Sequence, residues 1–120
     1  MIHYVLLKFE KNFYNDELLN YTKEVFYNIG RLENVKYVKV HSNCIERNSN
    51  MDVMVEMELD NKEALSNYLL NDLHRDFVEY IDKHVVLRVT FDCDWKPIFP
   101  SRYQKVVNIR KQSINSIRYP

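Results

Sequence analysis

The segment from Ile2 to Glu10 constrains the fold more than any other stretch of this chain, because it is oily on both sides. It is rich in β-branched and aromatic residues and too short for a stable helix, so it reads as a strand. His3, Val5, Leu7 and Phe9 point to one face, and Ile2, Tyr4 and Leu6 to the other, before Lys8 and Glu10 return to water. A strand that is apolar on both faces needs a cover on each. One cover can come from the chain's own helices, and the other calls for a second sheet.

The rest of the chain supplies the helices by a change of period. From Asp16, the residues Leu18, Leu19, Val25, Phe26, Ile29 and Leu32 recur at helical spacing, with Glu17, Lys23, Glu24 and Arg31 opposite. Asn15 or Asp16 can cap this helix at its start, and Gly30 with Asn34 marks its end. Val35 to Val40 reads as a second strand, followed by the polar loop Glu46-Arg47-Asn48-Ser49-Asn50. In the third strand Met51, Val53, Val55, Met57 and Leu59 face inward, against Asp52, Glu56 and Glu58, with Met54 as an exception. Asp60 or Asn61, then Glu63, Ala64, Leu65, Tyr68 and Leu69, start a second helix. Asn71-Asp72 is a fresh capping signal that breaks it, after which His74, Phe77, Val78 and Ile81 resume the helical spacing up to Lys83 or His84. Val85, Leu87, Val89, Phe91 and Cys93 alternate with Arg88, Thr90, Asp92 and Asp94 as a fourth strand. The order βαββαβ predicts an α+β, ferredoxin-like fold, a four-stranded antiparallel sheet with helices on one face. The second face of that sheet is then covered by a twin subunit in a homodimer, since contiguous apolar surface is uncommon on monomers.

Charge divides the chain. All 17 acidic residues but only 11 of the 17 basic ones lie at or before Asp94, so the body carries 11 − 17 = −6 and the tail +6. Pro97 and Pro100 punctuate the boundary. The expected organisation is a domain over residues 1–95 and a basic extension over 96–120. The tail's cations alternate with Tyr103, Val106, Val107 and Ile109, and Val106, Ile109 and Ile117 are compatible with a short helix. Such a segment suits an arm packed on the acidic body better than a nucleic-acid surface, because its own molecule offers the complement.

Several function classes drop out. Gly30 is the only glycine, and phosphate-cradling nucleotide loops need two or more. No stretch approaches the roughly 18 consecutive apolar residues of a spanning helix, and the opening residues lack the pattern of an export signal, so no membrane association is expected. Cys44 and Cys93 read as two reduced thiols in a cytoplasmic protein. His3, His41, His74 and His84 show no metal-ligand spacing, and neither a metal nor a cofactor is expected.

At this point the chain resembles a known family, the stress-responsive α/β-barrel domain proteins, small dimeric relatives of the cofactor-free antibiotic-biosynthesis monooxygenases. The resemblance covers about residues 1–95. It rests on the opening Met1-Ile2-His3-Tyr4-Val5-Leu6-Leu7-Lys8-Phe9, on Val55-Glu56-Met57-Glu58-Leu59 leading to Ala64-Leu65-Ser66-Asn67-Tyr68, and on His74-Arg75-Asp76-Phe77-Val78. In the family a tyrosine, a short turn with a histidine and a phenylalanine, and a last strand ending in an aspartate form the signature; here Asn71-Asp72 replaces the usual turn residues. The resemblance implies a dimeric α/β barrel with a cavity in each subunit between helices and sheet. It also implies His74 as a general base assisted by Tyr68, with His3, Val53 and Phe77 as ligand-binding residues. Family cyclases carry a histidine where this chain has Val53.

Each of these residues also has a plain structural reading. His74 can pack the helix through a backbone hydrogen bond, Tyr68 can be a core aromatic, and His3 a hydrogen-bonded core histidine. Trp95 and Asn67 are read as ordinary structure. Two functions remain open: a dimer binding a small apolar or aromatic ligand, and a cofactor-independent enzyme, cyclase-like or monooxygenase-like, using His74 as base.

Overall fold

The computed structural model describes residues 1–94 of the chain. Its first strand, β1 (Ile2–Phe9), occupies a central position in a sheet of order β2-β3-β1-β4, with β2 (Val35–Ser42), β3 (Val53–Leu59) and β4 (Val85–Cys93). Every neighbouring pair is antiparallel. The chain passes through α1 (Asp16–Ile29) between β1 and β2, and through α2 (Lys62–Leu70) and α3 (Asp72–Ile81) between β3 and β4. This is the ferredoxin-like βαββαβ layout expected from the periods.

Capping residues set the helix boundaries. Asn15 accepts from the Leu18 amide at 2.8 Å, and Asn61 from the Ala64 amide at 2.9 Å. Asn71 separates α2 from α3: its backbone is extended, and its side-chain oxygen accepts from the Leu73 amide at 2.9 Å. After α1 the chain does not reverse at its glycine. Gly30 keeps right-handed helical geometry, whereas Asn34 takes a φ of 70°, a conformation asparagine tolerates better than most residues. A Cβ at Gly30 would meet the Phe26 and Tyr27 carbonyl oxygens at 3.4 Å and Val38 at 3.5 Å, so the absence of a side chain there serves close packing.

The register explains two shifted boundaries. β2 runs two residues beyond Val40 because His41 and Ser42 still pair with Met54 and Val53. β3 starts at Val53 rather than Met51 because Asp52 is engaged with the end of β1, its amide donating to the Leu7 carbonyl and its carboxylate accepting from the Phe9 amide, both at 2.9 Å.

The core lies between the sheet and the helices. Val53, Val55, Met57 and Leu59 of β3 meet Phe26 and Ile29 of α1, Ala64 and Tyr68 of α2 and Phe77 and Ile81 of α3. Thr22 interrupts the apolar stripe of α1 yet is buried, because its hydroxyl donates to the Leu18 carbonyl at 2.7 Å. The opposite face of the sheet carries no helix among the described residues. Register places Tyr4 beside Phe91, Leu6 beside Val89 and Met54, and Lys8 beside Leu87 on that face. Phe91 is 61% exposed, Leu87 49% and Val89 44%. The expected second oily surface of β1 is therefore real, and the apolar row of β4 extends it.

No described helix is long and apolar enough to cross a membrane. Cys44 and Cys93 are free thiols. The tail helix expected around Val106 to Ile117, its packing on the body and the placement of Trp95 lie outside the described residues.

Candidate functional site

On β1 the residue that faces the helices nearest the N-terminus is a histidine. Its partner across the β1–β4 ladder is Asp92, and the two side chains meet on the helix face, His3 Nδ1–H donating to Asp92 Oδ1 at 2.5 Å. The imidazole is 6% exposed while the Asp92 side chain stays partly open to solvent. The Nδ1 side of a nearly buried ring thus has a charged partner.

Tyr68 reaches the same space from the last turn of α2. Its ring is edge-on to His3, with centroids 6.1 Å apart, and edge-on to His74 on the other side at 4.6 Å. The three aromatic side chains form a continuous series. Burial pushes the Tyr68 phenol well above its ordinary value of 10.0, against a smaller opposing effect of the Arg88 guanidinium. Tyr68 therefore stays protonated and can donate at neutral pH. No hydrogen bond to its hydroxyl is seen among the described residues, and the oxygen is not a sealed, orphaned polar atom, although the residue as a whole is only 3% exposed.

The position of His74 follows from the break between the helices. In one unbroken helix the Leu69 carbonyl would receive the Leu73 amide. Here Asn71 takes that amide, and the freed Leu69 carbonyl accepts instead from His74 Nδ1–H at 3.1 Å. A carbonyl only accepts, so the proton of the neutral ring sits on Nδ1 and Nε2 is the basic nitrogen. Burial holds His74 below its ordinary value near 6.5; the Leu69 hydrogen bond works against this, and Arg88 and His3 add to it. The backbone hydrogen bond expected of a structural histidine is present, and it coexists with a position on a cavity wall.

That cavity has a volume of about 250 Å³ and lies between the β1–β4 half of the sheet and α2 and α3. Val5, Leu7, Phe26, Leu65, Phe77 and Ile81 supply apolar wall; His3, Tyr68, His74, Arg88, Thr90 and Asp92 supply the polar groups. Of the residues singled out in the sequence, His3, Tyr68, His74 and Phe77 are brought together here. Val53 is not. It pairs with Leu7 further along the ladder, is 2% exposed in the core, and borders a more open depression of about 350 Å³ beside the β2–β3 loop. We take the first cavity as the candidate site, because it is the more enclosed and its ionisable groups converge.

Arg88 and Thr90 were not anticipated. Alternation of period 2 shows that β4 has a polar and an apolar row, but not which row meets the helices. Pairing with β1 decides it: Arg88 opposes Leu7, Thr90 opposes Val5 and Asp92 opposes His3, so the polar row faces the cavity. Among the described residues no three His, Cys, Asp or Glu side chains converge as a metal-binding group. Chemically, the site offers a neutral imidazole base, a phenol donor, a guanidinium and an apolar enclosure.

Fold and cavity together define a ferredoxin-like α+β domain with a small pocket between its helices and its sheet. The chain belongs to the stress-responsive A/B barrel domain family, whose model matches residues 1–95. Similar solved structures include a dimeric ferredoxin-like protein of unknown function from Bacteroides fragilis, 17% identical with a TM-score of 0.67, the match covering 78% of this chain and 94% of that one. A family protein with a ferredoxin-like fold from Mesorhizobium loti is 15% identical with a TM-score of 0.62, over 82% and 96% of the two chains. Hydroxynitrile lyase from Passiflora edulis is 12% identical with a TM-score of 0.66, over 82% and 95%. At these identities the likeness is one of fold. No curated protein matches the chain.

Proposed function

We propose that this protein is a homodimer whose subunits each bind a small organic ligand, largely apolar with one polar end, in the cavity between β1, β4, α2 and α3. The observation that carries the reading is the convergence of His3, Tyr68, His74 and Arg88 on an otherwise apolar pocket. Its volume of about 250 Å³ falls below the roughly 300–1,000 Å³ of pockets for drug-sized molecules, which points to a ligand near the size of a substituted aromatic ring. Dimerisation through the open sheet face is supported by the oily row of Tyr4, Leu6, Val89 and Phe91 and by the dimeric state of the Bacteroides fragilis neighbour. In this reading residues 1–95 are the functional unit, 96–120 a basic extension complementing the acidic body, and the free thiols fit a reducing, cytoplasmic setting.

Amide-resolved NMR titration with benzoate and with its neutral analogue benzamide tests the cavity. Shifts concentrated at Thr90, Tyr68, His74 and Phe77 support it; no response to either compound overturns it.

A second reading, a cofactor-independent enzyme with His74 as general base, is favoured by one specific feature. The Leu69 carbonyl fixes the proton on Nδ1 and leaves Nε2 basic, while burial keeps the ring neutral. Tyr68 then serves as the adjacent proton donor. That an enzyme, hydroxynitrile lyase, shares this fold is consistent with such use. Turnover lost in His74→Gln with an unchanged melting temperature would establish it, once a substrate is in hand.

A further inference from the structure

The cavity wall formed by β4 is polarised along its length. Arg88, Thr90 and Asp92 alternate on the strand with Leu87, Val89 and Phe91, and all three line the cavity. At about 3.4 Å per residue, Arg88 and Asp92 lie roughly 14 Å apart along the backbone, with Thr90 between them. The anionic end is occupied, since Asp92 accepts from the nearly buried His3 ring. The cationic end is not comparably held. The ion-pair partner of Arg88 among the described residues is Asp82, at 4.0 Å, and the Asp82 side chain is 69% exposed, so water screens and readily replaces that contact. Among the described residues β4 is an edge strand, and Arg88, Thr90 and Asp92 are all exposed while lining the cavity, so its mouth runs along this strand and the Arg88 guanidinium stands in it without a buried partner.

We propose that Arg88 makes the cavity selective for small carboxylate ligands, the anionic group held at the β4 edge by the Arg88 guanidinium with the Thr90 hydroxyl beside it, and the apolar body directed inward toward Phe77 and Leu65. This rests on the ligand-binding reading above and names the ligand's charge class. Three properties of the wall lead to a monocarboxylate. The guanidinium fork matches a carboxylate with two parallel hydrogen bonds. Among the described residues Arg88 is the sole arginine or lysine on this lining, so it matches a monoanion better than a phosphate dianion. Asp92 at the far end repels a second negative charge, which fixes the ligand's direction.

Titrating the full-length protein with benzoate and with benzamide, by calorimetry or by the NMR shifts of Thr90, His74 and the Arg88 side chain, tests this. Benzoate should bind about tenfold or more tightly than benzamide, the scale of a hydrogen bond to a charged group. The preference should vanish in Arg88→Gln and persist in reduced form in Arg88→Lys, which keeps the charge but not the fork. Unchanged melting temperatures of both variants confirm that the fold is intact. Equal affinity for the two compounds, or a preference that survives in Arg88→Gln, overturns the role of Arg88 and leaves the cavity reading standing. Failure of both compounds to bind removes the two together.

Discussion

Tyr68 separates packing from function when its ring and its hydroxyl are removed one at a time. Truncation to alanine removes an aromatic ring that is only 3% exposed, set between His3 and His74. A buried aromatic covers about 150–250 Å², worth roughly 4–6 kcal/mol at 25 cal per Å². Measured truncations of comparable residues cost about 3–5 kcal/mol, and we expect about 4 kcal/mol here. Against the 5–15 kcal/mol typical of a domain, Tyr68→Ala should be marginal or unfolded at 25 °C. Tyr68→Phe keeps the ring and removes only a hydroxyl that has no partner among the described residues. Its stability should stay within about 0.5 kcal/mol of the parent, because no internal hydrogen bond is lost. Benzoate affinity should nevertheless fall, by about 2- to 10-fold if the hydroxyl donates to the ligand. Urea denaturation gives the stabilities, provided the slope of free energy against denaturant is unchanged. A loss above about 1.5 kcal/mol in Tyr68→Phe would show that the protein itself holds the hydroxyl, and the argument for a free donor would collapse.

Three further outcomes are expected. Asn71→Ala removes the side chain that receives the Leu73 amide and should cost about 1 kcal/mol; the His74 ring resonances should move with it, and an unchanged His74 spectrum would break the link between cap and imidazole. Because burial lowers the His74 value in the folded state, its neutral ring contributes stability that is fully present above about pH 6.5 and lost as the pH falls through the folded value. The melting temperature should therefore drop less between pH 7 and pH 5 in His74→Gln than in the parent, and parallel curves would contradict the assigned direction. Phe91→Lys places a charge on the open face, where the parent ring is 61% exposed; the protomer should keep its stability within about 0.5 kcal/mol while the sedimentation mass falls from twice 14.6 kDa to 14.6 kDa, and a monomeric parent would refute the dimer.

Most of the architecture could be read from period and capping. The alternation in β3 and the recurrence of Leu18, Phe26 and Ile29 in α1 are strong because one face of each element is buried almost completely. Asn71 was visible as a helix break because an asparagine followed by an aspartate competes for backbone amides. Less visible was anything that depends on long-range pairing. The polar row of β4 could have faced either way, and only its register with β1 turned Arg88, Thr90 and Asp92 into cavity wall. For the same reason Val53, adjacent in register to Leu7 rather than His3, ended in the core away from the cavity. Thr22 shows the local counterpart, a polar side chain on an oily stripe made harmless by a hydrogen bond within its own helix. The site's aromatic members came through resemblance, whereas their electrostatic setting required three dimensions.

The interruption after Leu70 carries a last consequence. A helix joint is ordinarily a weakness to be patched, but this one releases a peptide oxygen that no neighbouring side chain must supply, so the lining on that flank remains hydrocarbon. Protonation geometry at the ring can then be retuned by lengthening, shortening or restaffing the joint, with every pocket-facing residue left as it is.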